Sequence, residues 1–399
     1  MAVKPIYAVG LDAGSRKTRM AICLVEGERI RLLGCAAVES QGWLKGRIAD
    51  QHAVSASMLA ALREAEAAAE VNVESAVVGM GGPTLRGANS RGVVELGRLR
   101  EIEQRDVHKV VDRAFRRDLP EDCMVLQLFP QDFVVDDHPG HRDPRKMLAE
   151  RLEINVHLVT ASIQEHNSLV GAVNQAHLAV EETVFEAQAA CFAAVWPEER
   201  REGVALVDIG AESTELVVYY GESMFLASTV RVCGDHFTSD LARGLCISPA
   251  DAELVKLEYG CSNSEECPEH MWVELPTPEG REPREARKKN INTILESRAS
   301  DLFGRVRSEL ARVGMEQALL GGVFLTGGGA KLPDLADLAE KELRCQSRFG
   351  LAVGIRDWPD SMRDPEWCTA AGLAMYSAKL KKHVARQKEE VGWLGKIMR

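Results

Sequence analysis

Two short segments of this 399-residue chain place a carboxylate beside a flexible polar turn, the arrangement that polyphosphate chemistry needs. An apolar run from Tyr7 to Leu11 ends in Asp12, passes through Ala13-Gly14-Ser15-Arg16-Lys17-Thr18 and resumes from Met20 to Val25. The same order returns at Val204 to Val207, Asp208, Ile209-Gly210-Ala211-Glu212-Ser213-Thr214 and Leu216 to Tyr220. Each reads as strand, tight turn, strand. Glycine and small polar residues in such a turn let successive N–H groups meet a phosphate unobstructed, while an Asp at the strand end faces a Mg²⁺ or its water shell. One Asp-x-Gly turn alone is an ordinary hairpin; two in corresponding places clamp a polyphosphate from both sides. A third feature also repeats, since Ala76-Val77-Val78-Gly79-Met80-Gly81-Gly82 resembles Val323-Phe324-Leu325-Thr326-Gly327-Gly328-Gly329.

Holding these turns requires two related α/β halves facing each other, with the ligand in the cleft between them. Residues 1–82 with 161–200 form the first half and 201–229 with 301–378 the second. Between the repeats lies more chain than a simple duplication needs. Residues 83–160 read as a compact inserted domain with an amphipathic helix around Ile102 to Phe115 and strands around Met124 to Val135 and Leu152 to Thr160. Its segment Asp136 to Asp143 holds two His and three Asp, but Pro139 and Gly140 between the histidines make it a polar hairpin rather than a metal site. A second insertion covers 230–300, and a basic segment follows at 379–399.

Composition bounds the rest. At 45% hydrophobic and 27% charged residues the chain is a folded protein of more than one unit. With 49 basic against 60 acidic residues its net charge is −11, which argues against a nucleic-acid partner. No apolar run reaches the roughly 18 residues needed to span a bilayer, and the first ten residues lack the layout of a signal peptide, so a cytoplasmic protein is expected. The ten cysteines include no pair at structural-zinc spacing and read as reduced thiols.

The chain resembles the actin, sugar kinase and heat-shock chaperone ATPase superfamily, and within it the FtsA family of bacterial cell-division proteins. That resemblance is carried by Val9-Gly10-Leu11-Asp12, Lys45-Gly46-Arg47-Ile48-Ala49-Asp50, Asn89-Ser90-Arg91-Gly92-Val93-Val94, Phe129-Pro130-Gln131-Asp132-Phe133, Gly234-Asp235-His236-Phe237, Lys256-Leu257-Glu258-Tyr259-Gly260 and Leu325-Thr326-Gly327-Gly328-Gly329. It implies an actin-like ATPase fold that takes ATP with Mg²⁺. Asp12 and Asp208 would hold the metal. Gly14, Ser15, Arg16 and Lys17, with Gly210, Ala211, Glu212, Ser213 and Thr214, would contact the phosphates. Gly234 and Asp235 would approach the nucleotide, Glu253 and Lys256 would clasp the adenosine, and Gly327, Gly328 and Gly329 would let the backbone pass the base. Glu186 falls where related ATPases orient the attacking water. By the same resemblance the insert at 83–160 helps to build protofilaments of the chain with itself.

One position departs from the family pattern. Where the family reads Asp-x-Gly-Gly-Gly-Thr-Thr-Asp, this chain has Glu212, a carboxylate that beside the phosphates adds like charge and weakens binding or hydrolysis, the alternatives being that it turns outward or contacts the metal. In the second insertion, Arg281, Arg284, Arg287, Lys288, Lys289 and Arg298 outnumber Glu282, Glu285 and Glu296. The resemblance implies that this subdomain receives the C-terminal peptide of the tubulin-like protein FtsZ, with Arg287, Lys288 and Arg298 as the candidate contacts. Residues 379–399 carry seven Lys/Arg against two Glu and read as a basic linker ending in an amphipathic helix. Val391, Trp393, Leu394, Ile397 and Met398 share one face of that helix, a pattern suited to an anionic membrane surface. The protein is therefore expected as a peripheral protein on the cytoplasmic face of the inner membrane. A pilus-assembly relative of the same fold is the alternative, and a small-molecule kinase a more distant one.

Overall fold

The computed structural model describes residues 5–116, 119–221, 223–277 and 282–397, with side chains described as far as Val384. Its first half begins with strands β1 (Tyr7–Ala13), β2 (Lys17–Glu26) and β3 (Arg29–Glu39), then a small hairpin of β4 (Trp43–Leu44) and β5 (Arg47–Ile48). Helix α1 (Gln51–Ala69) follows, its first turn capped by the Asp50 carboxylate, which accepts from the N–H groups of His52 and Ala53. Strand β6 (Ser75–Met80) then leads into the insert.

The insert consists of β7 (Arg86–Glu101), α2 (Gln104–Phe115), β8 (Cys123–Val135), β9 (His138–His141) and β10 (Leu148–Ser162). Its four strands form one antiparallel sheet in the order β7-β10-β8-β9. The expected helix and two long strands are there, and the Asp136 to Asp143 segment is the turn and return strand of a hairpin. Strand β7 has no counterpart in the expectations, because Arg86–Glu101 is rich in glycine and charge and lacks an apolar alternation along most of its length. It forms an edge strand, where only one flank needs a partner. Gly92 sits under α2, where a Cβ would lie 2.0 Å from the Val110 carbonyl oxygen.

Chain continuity returns to the first half through α3 (Ile163–Gln175), β11 (Ala179–Phe185), α4 (Glu186–Ala194) and the short α5 (Pro197–Arg201). The second half opens with β12 (Val204–Ile209), β13 (Thr214–Tyr220) and β14 (Ser223–Val230), followed by α6 (Gly234–Leu245), α7 (Pro249–Tyr259), the hairpin β15 (Trp272–Leu275) and β16 (Arg284–Arg287), and α8 (Lys288–Arg312). Strand β17 (Gly322–Thr326), helix α9 (Leu335–Leu343) and β18 (Ser347–Phe349) complete it, whereas β19 (Ile355–Arg356) pairs with β3 and helix α10 (Cys368–Ile397) packs on the first sheet, so the end of the 301–378 segment expected in the second half returns to the first.

Sheet topology makes the duplication explicit. The first sheet runs β11-β6-β1-β2-β3-β19 and the second β14-β13-β12-β17-β18. Reversed, the second order matches the first strand for strand: β12 for β1, β13 for β2, β14 for β3, β17 for β6 and β18 for β11. In both, an antiparallel hairpin is flanked by a parallel neighbour on its first strand. Central strands are buried on both faces, which is why β1 and β12 read as unbroken apolar runs rather than alternations.

Two junctions fix the assembly. Helix α10 lies against the first sheet closely enough that a Cβ on Gly10 would be 2.4 Å from the Ala370 carbonyl oxygen, and against α4 closely enough that one on Gly372 would be 1.8 Å from that of Ala189. Lys381 secures its far side by donating to the Tyr7 carbonyl at 2.6 Å and pairing with Glu181 at 2.7 Å. The helix continues without a break to Ile397, so the segment expected as a linker from 379 onward is a continuation of a core helix. The insert, for its part, docks on edge strand β14. The Ala227 N–H donates to His157 Nε2 at 2.9 Å, and Gln131 and Ser223 exchange side-chain to backbone bonds with Met224 and Gln131.

Candidate functional site

The two phosphate-type turns have the same local geometry. A Cβ on Gly14 would lie 2.8 Å from the Lys17 carbonyl oxygen, and one on Gly210 2.8 Å from that of Ser213, so each turn closes only around a glycine. Across the cleft they border one cavity of about 920 Å³. Its lining includes Asp12, Gly14, Ser15, Arg16, Lys17, Glu186, Asp208, Gly210, Ala211, Ser213, Gly234, Asp235, Glu253, Lys256 and Gly327 to Gly329. Seventeen of the expected positions, the glycines of 327–329 among them, thus meet although they come from stretches hundreds of residues apart.

At the floor of the cavity four carboxylates converge: Asp12, Glu186, Asp208 and Glu215. Burial pushes the Asp12 carboxyl up to about 7 against the pull of Arg19, and that of Asp208 to about 6. Glu215 is pushed up to about 8 by burial and the Asp208 charge, and Glu186 is raised by burial and then by Glu215. Such a set holds more negative charge than its surroundings neutralise, which fits a divalent cation with its water shell. Among the described residues no three His, Cys, Asp or Glu side chains converge closely enough to hold a metal ion by themselves. Asp208 accepts from Thr369 Oγ1 at 3.0 Å, at the first turn of α10. Glu215 accepts from the N–H groups of Gly82 at 2.8 Å and Ala187 at 3.3 Å. Arg19 lies 3.8 Å from Asp12, pairs with Glu366 and stacks over Trp367 at 5.9 Å.

The opposite end of the cavity is built by α6 and α7. Amide groups at the start of α6 are fixed to the second turn, Gly234 N–H donating to the Gly210 carbonyl at 2.9 Å and Asp235 N–H to that of Ala211 at 2.8 Å. On α7, capped by Ser248, Glu253 and Lys256 pair at 2.7 Å, and Lys256 donates to Thr238 Oγ1 at 2.8 Å. Gly327 has φ +82, and a Cβ there would come within 2.3 Å of the Asp208 carboxylate, whereas Gly328 faces open space. Arg16 reaches from the first half to Asp235 of the second at 3.0 Å.

Two expected phosphate contacts do not face the cavity. Thr214 starts β13 fully buried. Glu212 turns away from the phosphate position and accepts from the N–H groups of Lys45 at 3.0 Å and Gly46 at 2.8 Å. The like charge expected beside the phosphates is therefore spent on the first half's hairpin. Sequence reasoning missed Arg19, Glu215, Glu366 and Thr369. Glu215 had a local signal, since it fills the place of the motif's final Asp; the other three meet the site only through tertiary contacts.

Of the basic residues in the second insertion, Arg287 stacks on Trp272 at 5.3 Å. Lys288 opens α8. Arg298 is held inside the subdomain by Asp240 at 2.6 Å and Asp301 at 2.9 Å, and Arg281 lies outside the described residues. In the tail, Val391, Trp393, Leu394 and Ile397 belong to a helical backbone whose side chains are outside the description, and Met398 lies outside the described residues.

Duplicated halves, a deep cleft and paired Asp-ended turns define the chain as an actin-like ATPase fold. Solved structures of that architecture superimpose on it: a chain of the PilM–PilN type IV pilus biogenesis complex with a TM-score of 0.70 at 19% identity, covering 94% of this chain and 99% of that one. A second is MreB5 of Spiroplasma citri bound to AMPPNP, with a TM-score of 0.57 at 14% identity over 97% of this chain and 100% of that one. At these identities the likeness is one of fold. Closer kinship comes from the family models, of which "Cell division protein FtsA" matches residues 205–372 and "SHS2 domain inserted in FTSA" residues 82–160. Cell division protein FtsA of Pseudomonas aeruginosa is 30% identical over 92% of this chain and 88% of its own length, and that of Borreliella burgdorferi 30% identical over 94% and 91%. The chain belongs to the FtsA family, and its function lies in cell division.

Proposed function

We propose that the chain binds Mg-ATP in the cleft, assembles head to tail with copies of itself, and ties FtsZ filaments to the cytoplasmic membrane surface through its C-terminal helix. The observation that carries the first step is the pair of matched turns facing each other over four carboxylates at the cavity floor. In this reading Asp12 and Asp208 hold the water shell of Mg²⁺, which neutralises phosphate charge when bound. Amide groups of the 14–17 and 210–213 turns orient the phosphates. Glu253 and Lys256 grip the ribose side, and the open backbone at Gly328 gives the base its room. Glu186, the first residue of α4, points its carboxylate toward Gly79 and Gly81, where it can orient a water.

Membrane attachment rests on the sequence of 379–399 together with the continuous α10, since among the described residues no helix is long and apolar enough to cross a membrane. For the FtsZ peptide, Arg287 and Lys288 remain the contacts offered, with Arg298 shaping the subdomain from within. Calorimetry of Mg-ATP against the full chain tests the nucleotide step. Asp12→Ala removes a carboxylate facing the metal and weakens binding by about 2–4 kcal/mol. Equal affinity in the two proteins refutes the assignment.

A further inference from the structure

We propose that Glu212 is a latch between the two halves, closing the cleft over the phosphate end, and that its release sets how fast bound nucleotide leaves. Lys45 and Gly46, between β4 and β5, have φ +53 and +71, the pair of left-handed conformations of a tight two-residue hairpin turn. Such a turn aims adjacent N–H groups at a common point, and one Glu212 oxygen sits on each, at 3.0 and 2.8 Å. The turn is itself immobilised against the cavity wall. A Cβ on Gly46 would be 2.8 Å from Pro83 Cδ, and one on Gly82 would be 3.0 Å from the Gly46 carbonyl oxygen.

Other bonds also cross the cleft, from Glu215 to the Gly82 and Ala187 amides and from Thr369 to Asp208, but they lie at the buried floor. Glu212 sits at the rim, where a contact can part without opening the core. The exposed Arg16–Asp235 pair at the same rim is an ion pair in water, a weak kind of tie. A carboxylate on two fixed amides is a stronger one. The latch also accounts for the departure from the family pattern, because a glycine at 212 has no carboxylate to seat.

The latch rests on the nucleotide reading above, and the test separates the two. Glu212→Gln keeps the shape but presents an NH2 group to one of two N–H donors, so the pair cannot both be satisfied. With the full chain, Mg²⁺ and methylanthraniloyl-ATP chased by excess ATP in stopped flow, Glu212→Gln and Glu212→Gly are expected to release the probe about tenfold faster or more, with association little changed. An unchanged release rate overturns the latch; so does a slower one, which would mean that the carboxylate repels phosphate. Hydrogen exchange at the Lys45 and Gly46 amides of the nucleotide-free protein gives the second readout, both protected in the wild type and at least one of them fast in Glu212→Gln. Equal exchange overturns the latch. A wild type that takes up no probe, yet shows the exchange difference, overturns the nucleotide reading and with it the control of release, and leaves only the tie between the halves.

Discussion

Asp12 and Asp208 end equivalent strands, and with Glu186 and Glu215 they bring four carboxylates to one floor with Arg19 as their facing guanidinium. Local chemistry made the first pair and the turn glycines legible in the sequence, because a strand-ending Asp before a glycine turn is written in consecutive residues. Arg19, Glu366 and Thr369 were illegible for the opposite reason: each matters only through a partner brought close by the fold. Glu212 could be read as a charge but not as a direction, since its partners are amides 166 and 167 positions away. The insert's junction offers a pH test at this scale. His157 is buried, its Nδ1–H donates to Asn89 at 2.6 Å, and its Nε2 accepts from Ala227, so it is held neutral, with its pKa pushed by burial down to about 4. Between the ordinary 6.5 and that value the unfolded chain binds a proton that the folded one does not. Stability is therefore lost as pH falls through this window, on the order of 1.4 kcal/mol per pH unit at its steepest. In thermal unfolding, wild type should decline more steeply from pH 6.5 toward 4 than His157→Gln, and parallel curves would remove His157 from the account.

Elements differ in how openly the sequence announces them. Strands β1, β2, β12 and β13 follow from uninterrupted apolar runs around a turn, and α7 from Ser248, Pro249 and the Glu253/Lys256 spacing. Strand β7 did not follow, since an edge strand pairs on one flank and tolerates the glycines and arginines of Arg86–Glu101. One of those glycines is required: a Cβ on Gly87 would sit 2.0 Å from the Ala227 carbonyl oxygen, at the seam between insert and second half. Gly87→Ala should lower unfolding stability by about 1–3 kcal/mol through overpacking, measured by urea titration. An unchanged midpoint would mean that the seam yields freely. Helix α10 links the scales, beginning at the Thr369–Asp208 bond and running on into the basic tail. Burial of Trp393, Leu394, Ile397 and Met398 at a lipid boundary contributes about 1.5–3 kcal/mol per side chain before ordering costs, and each nearby Lys or Arg adds about 1 kcal/mol on anionic lipid. Removing 391–399 should abolish flotation with anionic liposomes and leave Mg-ATP binding intact, and Trp393→Glu alone should do most of that damage. Full flotation by the truncated chain would show that the anchor lies elsewhere.

At the scale of the whole molecule, the matching strand orders of the two sheets confirm the duplication that the repeated Asp-turns announced, and the cleft between the halves is where the repeated glycines meet. How the insert attaches was not legible, because its partners on β14 come from the other half of the chain. The proposed head-to-tail assembly requires open contacts, in which each copy presents one end to the opposite end of the next. Many weak tails on such a filament bind a membrane far more tightly than one tail does. The central claim, that this chain joins a division filament to a lipid surface, is tested most directly by flotation of purified FtsZ with anionic liposomes, Mg-ATP and the full chain. FtsZ should rise with the liposomes when the full chain is present and stay at the bottom when residues 391–399 are removed or the chain is omitted. FtsZ that stays at the bottom while the full chain itself floats would contradict the account.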